Sequence, residues 1–192
     1  AHDADMNEVE AIYGQTDSGM TIIEGNLFLN GQKPIQERTS YGLGEILHAA
    51  LDNDAKHIII SLGGIGSFDG GAGMLQALGA KFYDDEANLV DVTKGAHVIK
   101  YIRRLDFSGI HPKLAEANIQ VMSDFSSRLY GKQSEIMQMY PMLGMTQNEA
   151  AEIDNLVWYF SELFKSELRV TIGPIERGGA GGGIAAVLKG LY

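Results

Sequence analysis

The stretch HIIISLGGIGSFDGGAGM, residues 57–74, decides the fold. Its unbroken apolar run of β-branched residues is typical of a strand covered on both faces, as in a parallel sheet. A glycine-rich turn follows, which we call the first glycine loop (residues 63–73), and a short helix begins near Met74. This succession of strand, loop and helix predicts an α/β protein.

The first glycine loop also suggests a binding site. A ligand could approach its backbone closely, and the N–H groups that open the next helix would face an anion such as phosphate. Asp69 stands within the loop and could take a proton or hold a metal. Alternatively, the glycines only permit a tight crossover, and Asp69 accepts hydrogen bonds from nearby backbone N–H groups.

Elements before and after this stretch extend the α/β pattern. Residues 9–13 and 20–24 predict a β-hairpin, and Thr39 or Ser40 could cap a helix that runs to about Leu51. Residues 80–83 predict a further strand, which would complete a βαβ unit.

The second half repeats the alternation. Residues 118–122 predict a strand that ends near Asp124, at the sheet edge where ligands collect in open α/β folds. Asp124 could instead cap a helix or be a solvated group. A capping box at residues 146–149 opens a strongly periodic helix. A second glycine loop (residues 178–183) precedes a final helix, so both loops could converge on one ligand. Residues 124–144 predict a flap or a plain surface connection.

Composition limits the possible functions. The 192 residues have a net charge of −10, which disfavours nucleic acid and anionic membranes as partners. There is no cysteine, which excludes thiolate chemistry and disulfides. The sequence has no candidate membrane span, and its five histidines lack metal-ligand spacing. We expect one cytoplasmic domain over residues 1–192.

Two nucleotide motifs can be compared with the glycine loops. Neither loop is followed by Gly-Lys-Ser/Thr, which excludes a P-loop. A dinucleotide fingerprint stays open, because Gly64 and Gly66 follow a strand and Asp84 or Asp85 lies about 20 residues further on. Against it, the third glycine comes one position late, at Gly70, and Asp69 would lie beside the pyrophosphate.

Several segments together carry a family resemblance. Residues 39–45, TSYGLGE, are similar to a Thr-Thr-Tyr-Gly-Thr-Gly-Glu motif, and residues 69–79, DGGAGMLQALG, agree completely with a signature loop that also begins Gly-Gly. Glu24 matches a glutamate that closes an early strand in the family, and Asp124 and residues 179–183 match its later aspartate and its second glycine loop. The sequence resembles the bacterial glycerate kinases of the first type through most of its length.

The resemblance implies a fold and an activity. The fold would be a single compact α/β domain with a mainly parallel sheet, like the inserted domain of these kinases. The activity would be phosphoryl transfer from ATP, with Mg²⁺, to a hydroxyl of D-glycerate, with Asp69 and Asp124 as catalytic residues. The expected substrate-binding residues are Gly63, Gly64, Ser67, Gly70 and Gly71, and the expected cofactor-binding residues are Gly179, Gly181 and Gly182. Apart from the resemblance, Arg177 beside the second glycine loop is the best cationic candidate for binding the substrate carboxylate.

The sequence also departs from the family pattern. Ile65 and Phe68 stand where the family has serine and asparagine, Ser67 replaces a threonine, and a lysine of a later motif has no counterpart near Pro141. Family members are about twice as long and carry further segments that this sequence lacks. Three hypotheses follow: part of a catalytic unit that needs those segments, a degenerate domain that binds a small hydroxy acid, or a structural module.

Overall fold

Six strands and six α-helices occur in the computed structural model, which describes residues 1–63 and 66–191. The strands are β1 (Gly14–Gln15), β2 (Met20–Glu24), β3 (His57–Ser61), β4 (Lys81–Tyr83), β5 (Arg104–Asp106) and β6 (Asn118–Met122). The α-helices are α1 (Asn26–Leu29), α2 (Tyr41–Asp52), α3 (Ala72–Ala77), α4 (Glu135–Met139), α5 (Gln147–Leu163) and α6 (Ile184–Leu191). Short 3₁₀ turns cover Ile35–Glu37, Val92–Lys94, Ala96–Tyr101 and Pro112–Ala115, and a π turn, Phe164–Leu168, continues α5.

The central sheet has the strand order β1, β2, β3, β6. Strands β2, β3 and β6 are parallel, and β1 is antiparallel to β2. In this register Glu24, Ser61 and Met122 lie side by side at the ends of the three parallel strands. We call this side of the sheet the carboxyl edge. The predicted mainly parallel α/β sheet is confirmed.

Two local predictions were wrong. Strand β4 pairs antiparallel with β5 in a separate two-stranded sheet, so β3, α3 and β4 do not form a βαβ unit. The six residues of α3 rise about 9 Å, roughly half the ~17 Å of five-residue β3, and cannot carry the chain back along the sheet. The antiparallel partner of β2 is Gly14–Gln15 and not residues 9–13.

The main core lies between the sheet and its helices. Helix α2 buries one apolar face, and α5 contributes Phe160, whose ring lies 5.2 Å from that of Phe164 and 5.8 Å from that of Phe82. The predicted capping box of α5 is present, with Thr146 and Glu149 bonded to each other's backbone N–H. None of the described helices has the length and hydropathy needed to span a bilayer.

Candidate active site

The carboxyl edge brings together two residues that the sequence placed 61 positions apart. Gly63 lies two residues beyond the end of β3, and Asp124 lies two residues beyond the end of β6. A Cβ built on Gly63 would be 3.7 Å from Oδ1 of Asp124. The Asp124 side chain is exposed, so its carboxylate is open to a ligand at this edge.

A second carboxylate, that of Glu135, is buried and lies within range of the negative charge of Asp124. Glu135 is the first residue of α4, is only 4% exposed, and its Oε2 accepts a 3.3 Å hydrogen bond from the N–H of Gly182. Burial raises the pKa of Glu135 to about 7; the Gly182 hydrogen bond opposes this shift, and the negative charge of Asp124 adds to it. Glu135 is therefore a proton-exchanging group near neutral pH.

The two glycine loops pack directly against each other. The N–H of Gly70 donates to the carbonyl of Gly182 at 3.0 Å. Gly181 and Gly182 have φ of 72° and 60°, and Cβ atoms there would lie 2.7 Å from Cδ1 of Leu62 and 2.8 Å from Cα of Phe68. The glycines of the second loop are thus required by close contact between the loops.

Asp69 is held inside the protein by the elements around it. Its side chain is 1% exposed and accepts hydrogen bonds from the backbone N–H and hydroxyl of Ser40, at 2.8 and 2.9 Å, and from the hydroxyl of Thr39. It also accepts from the N–H groups of Gly71 and Gly73, at 3.0 and 3.1 Å. These bonds fix the first loop to the start of α2. They agree with the alternative in which Asp69 accepts hydrogen bonds from nearby groups and stabilises the turn. Its catalytic role stays a prediction.

The expected anion site at the start of α3 is not formed in this structure. The N–H groups of Gly71 and Gly73 bind Asp69, that of Ala72 binds the Asp69 carbonyl, and that of Met74 binds Oγ of Ser40. Since Asp69 supplies the negative charge itself, no N–H at this helix start is left for a ligand.

The other predicted residues of the first loop differ in their settings. Ser67 is fully buried, and its Oγ has no hydrogen-bond partner among the described residues. Gly70 and Gly71 have φ of 64° and 79°, and both N–H groups are bonded within the protein. Gly64 lies outside the described residues. Their substrate-binding roles stay predictions.

The second loop has no open N–H cradle for the ATP phosphates. Gly179 donates to the carbonyl of Ser127, Gly182 to Glu135, and Gly181 also contributes a hydrogen bond to Glu135. These three glycines fit a packing role in this structure. The expected ATP site at Gly179, Gly181 and Gly182 stays a prediction, because the backbone N–H groups of these three glycines are already bonded within the described structure.

Arg177 lies beside the second loop and lines an open cleft of about 280 Å³. Arg177 is exposed and has a left-handed backbone, with φ of 59°. Ser127 is 4% exposed, and its Oγ has no hydrogen-bond partner in the described part of the chain. We call this cleft the arginine cleft, and it is lined by residues 126–128, Gln133, Gln138, Glu176 and Arg177.

The arginine cleft has the chemistry of an anion site. Two guanidinium groups, Arg128 and Arg177, outnumber the single carboxylate of Glu176. Planar guanidinium groups match the geometry of carboxylate and phosphate oxygens. The cleft begins two residues after Asp124 in the chain.

Sequence reasoning singled out Arg177 but missed Glu135 and the binding capacity of Arg128. Ser134 caps α4 through a bond from the Met137 N–H, and a serine before glutamate was a readable sign of that helix start. The burial of Glu135 had no sign in the sequence, because it depends on the second loop, 47 residues away.

Comparisons with known proteins now assign the family. The model of the glycerate kinase family matches residues 1–192. The chain is 32% identical over 188 residues to the glycerate 2-kinase of Escherichia coli K12, covering 94% of this chain and 49% of that protein. It is 30% identical over 183 residues to the glycerate kinase of Bacillus subtilis 168, covering 92% and 47%.

The fold gives the same assignment. A crystal structure from Salmonella typhimurium LT2, assigned as a glycerate kinase 2, superposes with a TM-score of 0.91 at 30% identity, covering 98% of this chain and 52% of that one. The chain belongs to the glycerate kinase family. It spans about half the length of the curated relatives it matches.

Proposed function

We propose that this chain carries the acid-binding half of a glycerate kinase, which transfers a phosphoryl group from ATP to a hydroxyl of D-glycerate when the remaining family segments are present. The observations that carry the proposal are the closeness of exposed Asp124 to Gly63 at the carboxyl edge and the arginine cleft, whose lining begins two residues after Asp124 in the chain. A small hydroxy acid needs both a cationic site and a proton acceptor, and these groups supply them.

In this proposal the arginine cleft binds the substrate carboxylate. Arg128 and Arg177 donate to its oxygens. Glycerate is small enough for a cleft of about 280 Å³ and would extend its hydroxyl carbons toward Asp124. Binding the carboxylate in this way orients the hydroxyl for reaction.

Asp124 is the proposed proton acceptor for that hydroxyl or, alternatively, the ligand of Mg²⁺. An exposed carboxylate suits a Mg²⁺ ion, which usually takes one or two carboxylates along with phosphate oxygens. When bound, Mg²⁺ would neutralise charge on the transferred phosphoryl group. Glu135 is a positioning residue in this account, because it holds the second glycine loop through Gly182.

The family implies ATP as the phosphoryl donor, and we assign it to no residue of this chain. Strand β6 is the outer strand of the central sheet, and its residues are at least partly exposed along its whole length. A cleft of about 560 Å³ with Arg177 and Lys189 on its wall lies beside β6. We place the remaining family segments, and the ATP they would bring, on this side.

A second candidate is a degenerate domain that binds the acid without phosphorylating it. Phe68, which stands where the family has asparagine, is 2% exposed and packs in an apolar cluster with Ile136 and Ile153. That position therefore supplies no polar contact to a substrate. A dinucleotide site has less support, because β4, which carries Asp84 beyond its end, lies outside the central sheet.

A chimera tests the proposal and separates it from this alternative. The matching half of the Escherichia coli glycerate 2-kinase is replaced by this chain, and phosphoglycerate formation from Mg²⁺, ATP and D-glycerate is measured. We expect turnover that falls roughly 100-fold or more in Asp124→Asn and is unchanged in the exposed control Asp85→Asn. Glycerate binding without turnover would favour the degenerate domain, and neither binding nor turnover would refute both.

A further inference from the structure

A cluster of two histidines and one aspartate lies at the end of α2. Nδ1 of His48 is 3.2 Å from Oδ2 of Asp52, and Nε2 of His111 is 3.1 Å from Oδ1 of Asp52. One ligand atom from each of the three side chains lies within 4.8 Å of the others. Helix α2 ends five residues before β3 begins, so the cluster lies at the amino end of the sheet, away from Asp124.

The fold holds these side chains in place before any ligand arrives. His48 and Asp52 are four residues apart on α2 and therefore share one face of the helix. His111 is 7% exposed, and its backbone N–H donates to the carbonyl of Leu78. Its ring contacts that of His48 edge-on, with 4.6 Å between the ring centroids. Burial of His111 fixes the position of Nε2, while His48 and Asp52 remain 41% and 63% exposed and open to solvent.

We propose that His48, Asp52 and His111 form a binding site for one divalent transition-metal ion of the zinc class. Two imidazole nitrogens and one carboxylate oxygen are a common zinc ligand set, with solvent completing a tetrahedron. Tetrahedral bonds of about 2.0–2.1 Å place neighbouring ligand atoms roughly 3.3 Å apart. The two histidine nitrogens lie 3.1 and 3.2 Å from different oxygens of Asp52, and one ligand atom from each residue lies within 4.8 Å of the others, so metal binding requires only a modest approach of the three side chains.

The surroundings of the cluster favour binding of a cation, but with only moderate affinity. The chain has a net charge of −10, and the nearby cation Lys113 is paired with Asp54 at 2.8 Å. Nδ1 of buried His111 has no hydrogen-bond partner among the described residues, so the outer support that usually strengthens a zinc-bound histidine is missing. Mg²⁺ prefers oxygen ligands, so this site is chemically separate from any Mg²⁺ used in catalysis.

Metal binding would join α2 to the segment that precedes β6. Asp52 and His111 are 59 residues apart, and the only link between their side chains recorded in the described structure is the 3.1 Å contact. An ion that binds the folded chain and not the unfolded one raises thermal stability. A rise in the unfolding temperature with Zn²⁺ is therefore expected alongside binding.

The test is a calorimetric titration of the metal-stripped 192-residue chain with Zn²⁺. We expect one ion per chain, with affinity lowered by more than about tenfold in His48→Gln and in Asp52→Asn, since loss of an outer partner alone costs about 10- to 100-fold. His57→Gln is the matched control, because His57 is exposed and lies outside the cluster. Mg²⁺ should neither bind there nor displace Zn²⁺.

Co²⁺ provides a second readout that stability changes cannot mimic. Bound in a tetrahedral nitrogen and oxygen site, it should give a visible absorption band in the wild type and in His57→Gln and no band in His48→Gln. Because the side chains of His48 and Asp52 are 41% and 63% exposed and neither belongs to the core, these variants should keep their circular dichroism spectra. Absence of stoichiometric Zn²⁺ binding, or equal binding in the wild type and both cluster variants, would overturn the proposal.

Discussion

The N–H of Gly70 donates a 3.0 Å hydrogen bond to the carbonyl of Gly182, which joins the two glycine loops backbone to backbone. Gly182 also donates its own N–H to Glu135, so this one residue connects the first loop to α4. The candidate active site is therefore built on a contact between segments more than 100 residues apart.

Gly182→Ala should lower the free energy of unfolding by about 3 kcal/mol. The added Cβ would meet Cα of Phe68 at 2.8 Å, and the residue would keep a φ of 60°. Gly144→Ala is the matched control, because Gly144 has φ of 70° with open space around it, and it should cost only about 1 kcal/mol. Urea unfolding measures both, and equal losses would show that the loops are not tightly packed.

Asp69→Asn should destabilise the chain by about 3 kcal/mol. Oδ2 of Asp69 accepts from Ser40 and Gly73 and Oδ1 accepts from Gly71, so the NH₂ group of an amide would face a donor in either position. Asp124→Asn, at an exposed position, should change stability by less than about 1 kcal/mol. Thermal and urea unfolding check this pair, and an Asp69→Asn protein as stable as the wild type would contradict the structural role.

Glu135→Gln should change how stability depends on pH. The folded-state pKa of about 7 lies above the ordinary 4.5, so the folded chain binds this proton more tightly. The resulting stability is fully present below pH 4.5 and is lost as the pH rises through about 7, a loss of about 3 kcal/mol. Glutamine keeps an acceptor for Gly182 and removes the titration.

The measurement is the free energy of unfolding at pH 5 and pH 8 for both proteins. The other titrating groups, including Asp154, whose pKa is also raised by burial, are common to both proteins. The difference between wild type and Glu135→Gln therefore isolates Glu135. The same pH dependence in the two proteins would mean that Glu135 is not buried as described.

Periodic segments were the ones that the sequence predicted well. The β-branched run of β3 and the apolar stripe of α5 behind its capping box both formed within a residue or two of the expected bounds. Each of these patterns is local, because the covered strand and the amphipathic helix carry their own signatures in side-chain order. The partner of β4 was mispredicted because strand pattern does not specify which strand it pairs with.

The candidate site was harder to predict for a physical reason. The first loop was expected to offer N–H groups to an anion, yet Asp69 from the same loop occupies them. Glu135 and the cluster of His48 and His111 depend on contacts between distant segments. The spacing of residues in one sequence does not predict such contacts.

Calorimetric titration of the 192-residue chain with D-glycerate measures whether the arginine cleft binds the acid. We predict one bound acid per chain, with binding weakened by about tenfold or more in Arg177→Gln, since hydrogen bonds to charged groups contribute about 1.5–3 kcal/mol. Arg169→Gln is the matched control: Arg169 is also exposed and left-handed, with φ of 61°, and lies outside the arginine cleft. Absence of glycerate binding, or equal weakening in both variants, would contradict an acid site in the arginine cleft.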